Sequence, residues 1–206
     1  MEWMIRDWVN WRWLSGDHIV EQHVHNIDVI NWFTGSHPVK AVGFGGRARR
    51  VTGDQYDFFA IDFTFENGMH CQSMCRQVDG CVNNVSEYIV GTKGSTNCAD
   101  TIFKPDSSVK WKFDVKAGEP APTDPYQQEF IDFVYAIRMG EIINEADLTA
   151  ISTMCAVMGR TSAYTGAETT WKEMEDSAMK LGPAAYAMEN IGIQAVIPVP
   201  GTPAKK

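Results

Sequence analysis

The stretch "YDFFAIDFTFENGMHCQSMCRQ", residues 56–77, constrains the fold of this chain more than any other. Phe59, Ile61, Phe63 and Phe65 alternate with Phe58, Ala60, Asp62 and Thr64, and a period of two marks a strand with one face buried. Asn67-Gly68 interrupts the alternation, and that dipeptide favours a type I′ turn, in which both central residues take positive φ. The run predicts an antiparallel hairpin that turns the row 59, 61, 63 and 65 toward a core. Strands of a parallel sheet, buried on both faces, lack such alternation.

Further strands are expected in "VKAVGFGGRAR", "VSEYIVGT", "TNCADTIF" and "SVKWKFDV", separated by the turn clusters "DGCVNN", "TKGS" and "KPDSS". Helices flank them. Asp17 is placed to cap one helix running through Ile19, Val24, Ile27 and Ile30 to Trp32 and stopping at Gly35, ahead of Pro38. After the proline-rich loop "KAGEPAPTDP", Asp124 with Pro125 starts a second, carrying Phe130, Phe133, Val134 and Ile137 inward. Asn144 with Asp147 starts a third, through Leu148, Ile151, Cys155 and Met158 to Gly166, and Thr170 with Glu173 forms a capping box for a fourth. Helix, strands, then helices predict an α+β fold: a two-layer sandwich with an open, mainly antiparallel sheet and helices packed on one face. A chain of 206 residues suits one domain, expected over residues 1–195, with an irregular or mobile proline-rich tail over 196–206.

Composition narrows the partners. A net charge of −8 argues against nucleic acid, and "GRARR" at 46–50 reads as a solvated strand end. No apolar run approaches the roughly 18 residues of a membrane span. The five cysteines form no CxxC pair, which disfavours a disulfide framework or zinc ribbon and suits a reducing, cytoplasmic setting. "MEWMIRDWVNWRWLSG" lacks the continuous apolar core of a signal peptide, and its tryptophans read as core or interface.

The chemistry concentrates in "GDHIVEQHVHNIDVINW", residues 16–32. At about 100° per residue, His18, Glu21, His25 and Asp28 share one helix face and His23 points elsewhere. The spacing alone leaves three readings open: a solvated or salt-bridged face, a metal site using Glu21, His23 and His25, or proton transfer by Glu21 and His25, one turn apart.

The surrounding text, "WLSGDHIVEQHVHNIDVINWFTGSHPVKAVGFGGR", closely resembles the central segment of oxidoreductases of the glucose-fructose oxidoreductase / inositol dehydrogenase (Gfo/Idh/MocA) family. "CRQVDGCVNNVSEYIVGTKGS" and "INEADLTAISTMCAVMGRTSAYTGAETTW" resemble two later landmarks in the same order, so the likeness runs from about Trp8 to Trp171. The resemblance implies the C-terminal domain of a two-domain enzyme, with NAD or NADP held by an N-terminal Rossmann domain. It implies catalytic roles for Glu21 and His25, where the family more often has aspartate in place of Glu21. Asp28 is implied as an orienting acid, and Arg76, Asn84, Arg160 and Tyr164 as residues of the substrate side. Gly43-x-Gly45-x-x-Ala48 imitates a dinucleotide fingerprint, but such a fingerprint must open a helix, and here a turn follows.

No cofactor-binding or metal-binding residue is therefore expected in this chain. The resulting expectation is a substrate-binding and oligomerisation domain for a sugar-like molecule, inactive without its Rossmann domain and associating as a homo-oligomer through the sheet face. A stand-alone binding or scaffold protein, and a metal-dependent lyase or hydrolase, are the alternatives.

Overall fold

The computed structural model describes residues 1–114 and 124–202. Residues 116–123 of the expected proline-rich loop and the last four residues of the tail lie outside them. The chain divides into two compact units: Met1–Asn84 with Thr149–Lys206, and Val85–Leu148.

The first unit opens with short helices α1 (Glu2–Arg6) and α2 (Arg12–Ser15) around a single 3-10 turn at Trp8–Asn10, followed by α3 (His18–Glu21) and α4 (Val24–Thr34). Strands β1 (Pro38–Gly46), β2 (Phe58–Phe65) and β3 (His70–Arg76) come next. They form an antiparallel sheet in the order β3-β2-β1-β8, where β8 is the two-residue strand Thr169–Thr170. The row Phe59, Ile61, Phe63 and Phe65 is buried as the alternation requires. It packs with Ile19, Ile27, Cys155, Ala156, Met158 and Ala163 in one core. Phe58, Phe44 and Met74 stand on the opposite face, the last two 69% and 73% exposed.

The hairpin forms at Asn67-Gly68 with a different turn. Gly68 alone has positive φ (+80°); its N–H donates to the Phe65 carbonyl (3.0 Å) and the Phe65 N–H to the Met69 carbonyl (2.9 Å). A three-residue connection ending in a left-handed glycine needs positive φ only at that glycine, whereas type I′ imposes it on the asparagine too. The Asn67 side chain instead accepts from the Met69 N–H at 3.0 Å.

Helix α6 (Ala146–Thr165) lies across the sheet, its residues from Thr149 onward belonging to the first unit. Glycine permits this approach. A Cβ on Gly43 of β1 would sit 2.6 Å from the Ala163 nitrogen and 2.8 Å from the Gly159 oxygen, and one on Gly159 would sit 2.9 Å from the Phe63 ring. The Gly43 N–H donates to the Ser162 hydroxyl at 2.8 Å. The capping box at Thr170 and Glu173 is present and starts α7 (Trp171–Glu175). The described part of the tail is irregular, as expected, but tied down: its Pro198 carbonyl accepts from the Tyr56 hydroxyl (2.9 Å), and the Gly201 N–H donates to Thr165 (2.9 Å).

The second unit carries a separate antiparallel sheet of β4 (Ile89–Gly91), β5 (Gly94–Thr96), β6 (Thr101–Phe103) and β7 (Val109–Lys112), so the strands expected as one sheet form two. Its helix α5 (Pro125–Met139) starts at the Asp124 cap as predicted. Phe130, Phe133, Val134 and Ile137 are nevertheless exposed, because the four strands of this unit are short and none supplies a broad buried face.

Candidate functional site

The residues singled out in 16–32 stand on a corner that is itself unusual. Asp17 is fully buried and takes φ +87°, a conformation that costs a non-glycine residue energy unless its surroundings enforce it. They do. Its N–H donates to the Ser15 hydroxyl (3.2 Å), Oδ1 accepts from the His18 N–H (2.6 Å), and Oδ2 accepts from the Tyr56 N–H (3.2 Å) and the Tyr164 hydroxyl. Arg160 donates from Nη1 to the Gly16 carbonyl at 2.6 Å. Arg12, paired with Asp54 through Nε at 2.9 Å, lays its guanidinium over the Tyr164 ring at 5.1 Å. Burial, then the Asp17 carboxylate, push the Tyr164 hydroxyl well above its ordinary pKa, so it stays protonated and donates. Arg160 and Tyr164, which the resemblance places on the substrate side, are thus buried and engaged in fixing the start of α3.

The predicted single helix is broken at Gln22-His23. The Gln22 and His23 N–H groups both donate to the His18 carbonyl, at 3.1 and 3.0 Å, so the turn contains one residue more than an α-helical turn. Such wide turns recur at functional sites. An extra residue delays the helical phase by about 100°. His23 consequently rotates onto the inward face beside His18, and His25 and Asp28 rotate outward. This corrects the regular-helix expectation that His23 diverges: it is half-buried and hydrogen-bonded through Nε2 to the Ser73 hydroxyl of β3 at 2.8 Å. Burial, reinforced by His18, lowers its pKa to about 4 and keeps it neutral.

Glu21 and His25 remain neighbours across the break. Glu21 ends α3 half-buried, with Oε1 buried and without a hydrogen-bond partner, while His25 is exposed on α4. Burial raises the Glu21 pKa, against the pull of His18, Arg50 and His25, and the Asp17 carboxylate adds to the rise. Asp28, though exposed, accepts from the Ser152 hydroxyl at 2.5 Å, and Asn31 donates to the same oxygen at 3.1 Å, so these two residues fasten α4 to α6. Arg76, at the exposed end of β3, donates to the Val82 carbonyl at 2.9 Å, and Asn84 is exposed in the irregular segment beyond. The structure therefore leaves Glu21 half-buried at the end of α3 and His25 exposed on α4, within electrostatic reach of each other, ties Asp28 to α6, and turns Arg160 and Tyr164 inward. Sequence reasoning had no signal for His18 or Asp17 as buried groups beyond the glycine before them.

The basic stretch is not a solvated strand end. The N–H groups of Ala48, Arg49 and Arg50 converge on the buried Asp57 carboxylate at 2.8, 2.7 and 3.0 Å, and Arg47 donates to the carbonyls of Arg50, Thr52 and Gly53. The same geometry tests the apparent dinucleotide fingerprint. Gly43 and Gly45 lie within a strand, with Gly43 pressed against α6, and no helix follows; these residues do not fit a pyrophosphate. Among the described residues, no group of three histidine, cysteine, aspartate or glutamate side chains is arranged to hold a metal ion, so the metal reading of Glu21, His23 and His25 has no geometric support. Nor is any described helix long and apolar enough to cross a membrane.

Comparison with known proteins gives this geometry a context. No curated protein matches the chain. Among solved structures, an oxidoreductase from Thermotoga maritima is 18% identical with a TM-score of 0.61, the match covering 84% of this chain and 50% of that one. Myo-inositol 2-dehydrogenase from Lactobacillus plantarum is 18% identical (TM-score 0.57; 82% of this chain, 52% of that one). Scyllo-inositol dehydrogenase from Lactobacillus casei, solved with NAD(H) and scyllo-inositol, is also 18% identical (TM-score 0.55; 82% and 52%). At these identities the likeness is one of fold, and this chain spans about half the length of those proteins. The family model described as the GFO/IDH/MocA C-terminal domain matches residues 2–97, which contain the Asp17 corner, α3, α4 and the first three strands. Over these residues the chain is similar to the GFO/IDH/MocA C-terminal domain family.

Proposed function

We propose that this chain is the substrate-binding and oligomerisation domain of an NAD(P)-dependent sugar or cyclitol dehydrogenase, with Glu21 and His25 as its acid/base pair. The observation that carries this reading is the pairing itself: a half-buried carboxyl with a raised pKa beside an exposed imidazole. His25 is placed to accept the proton of a bound hydroxyl. Glu21, which holds a proton more readily than an ordinary carboxylate, is placed to exchange it with the imidazole. The hydride released from the same carbon would go to a nicotinamide held by a partner Rossmann domain. Arg160 and Tyr164 act on this pair through the Asp17 corner, and Asp28 through its bond to Ser152. Arg76 and Asn84 are exposed, where a polyol could meet them.

The test is a titration of the 206-residue chain with myo-inositol, scyllo-inositol and glucose, followed by NMR at His25. Binding of at least one that is abolished in His25→Ala and weakened in Glu21→Gln is expected. The chain with NAD or NADP and no second domain is expected to leave every polyol unoxidised. No perturbation by any of the three, or turnover by the chain alone, refutes the reading. The outward sheet face, with Phe44, Phe58 and Met74, is proposed to meet a second copy, since apolar surface of this kind usually marks an interface. Light scattering that shows a monomer at all concentrations would remove that part.

A further inference from the structure

Three buried polar atoms without hydrogen-bond partners fall within one turn of α3: both ring nitrogens of His18 and Oε1 of Glu21. Buried polar atoms in folded proteins nearly always have partners, and leaving one without costs about 1–3 kcal/mol. The protein groups around His18 are already committed. Asp17 Oδ1 lies 3.5 Å from Nδ1, beyond ordinary hydrogen-bond distance, and the carboxylate already accepts from the His18 and Tyr56 N–H groups and the Tyr164 hydroxyl. His23 is bonded to Ser73, and the His18 ring packs on Phe59 with centroids 5.3 Å apart. Glu21, one helical turn on, remains within electrostatic reach.

An imidazole N–H donates, and a carboxylate oxygen accepts. A hydroxyl oxygen satisfies both ends, accepting N–H from the ring and donating O–H to the carboxylate. His18 is only 3% exposed, so the bridging group must be as small as water. We propose that one buried water joins the His18 ring to Glu21 Oε1, making His18 the positioning residue that holds the Glu21 carboxyl beside His25. The proposal rests on the reading of Glu21 and His25 as an acid/base pair, but its test reads hydration and ionisation rather than substrate binding or turnover.

The charged and titratable groups facing Glu21 are His18 and Asp17 from α3 and its cap, Arg50 from the loop after β1, and His25 from α4. Burial is the largest influence and raises the pKa; His18 is the next largest and lowers it. NMR on the full chain distinguishes a positioning role from a packing role. His18→Phe keeps a ring against Phe59 but has no nitrogen, whereas His18→Asn keeps a donor. The expected results are magnetisation transfer from a long-lived water to the His18 ring protons, and a Glu21 carboxyl titration that moves to higher pH in His18→Phe but returns toward the parent value in His18→Asn. A Glu21 titration in His18→Phe that coincides with the parent overturns the proposal. So does a His18 ring in the parent chain with no bound-water contact, a measurement that needs no variant to fold. Failure of either kind leaves the polyol titration to judge the function separately.

Discussion

Replacing Asp57 should be among the most damaging single changes in the loop that joins β1 to β2. Its carboxylate is 1% exposed and accepts three main-chain N–H groups, from Ala48, Arg49 and Arg50. Hydrogen bonds to a charged group contribute about 1.5–3 kcal/mol each, so three set an upper bound of about 5–9 kcal/mol. Ala48 and Arg49 are exposed, and their N–H groups can turn toward water once released, which reduces the net loss to about 4 kcal/mol for Asp57→Ala. Asp57→Asn keeps one acceptor oxygen without the charge and should cost about 3 kcal/mol. The assay is urea unfolding, with a lower midpoint at unchanged slope.

The pH dependence supplies a second readout. Burial alone would raise the Asp57 pKa, but the three N–H bonds and Arg50 outweigh it and hold the carboxyl below its ordinary value. Its contribution is therefore complete above the unfolded value of about 4 and is lost as pH falls through the lower folded value. The gap between the parent chain and Asp57→Asn should close in acid. A variant within about 0.5 kcal/mol of the parent at neutral pH, or a gap that persists below both values, refutes the argument.

Two other perturbations test the packing of the first unit. Gly43→Ala places a methyl against main-chain atoms of α6 that cannot rotate away, and should cost about 2–3 kcal/mol, seen as a lower Tm; an unchanged Tm would show that α6 does not lie this close to β1. Cys81 is exposed and should react first with a thiol reagent. Burial pushes Cys71 up to about 11 and Cys155 up to about 12, and raises Cys75 as well, so these three should label only on unfolding. Labelling of Cys155 at the rate of Cys81 would contradict its place on the buried face of α6.

Glu21 and His25 were singled out because they lie four residues apart, one turn of a regular helix; the extra residue in the turn between them left no trace in that spacing. Asp28 was singled out on its helix face, although its partner Ser152, far along the chain, was not. Asp17 was read as a cap, and it is one. Its further bonds to Tyr56 and Tyr164 depend on residues that only folding brings near. The inward turn of His23 followed from a main-chain detail, two N–H groups sharing the His18 carbonyl, for which side-chain periodicity carries no sign.

The sequence by itself determined what is local and periodic: the alternation that buries Phe59, Ile61, Phe63 and Phe65, the hairpin at Asn67-Gly68, and the caps at Asp124 and Thr170. These depend on side-chain spacing and on hydrogen bonds within a few residues, which any copy of the same string would make. Only the tertiary structure decided the division of the strands into two sheets, the use of Gly43 to seat a helix instead of a phosphate, and the wrapping of 48–50 around Asp57. It also decided which of the histidines in 16–32 reach the surface. Each outcome depends on which distant backbone or carboxylate satisfies a buried polar group, and that partner is settled only when the core closes.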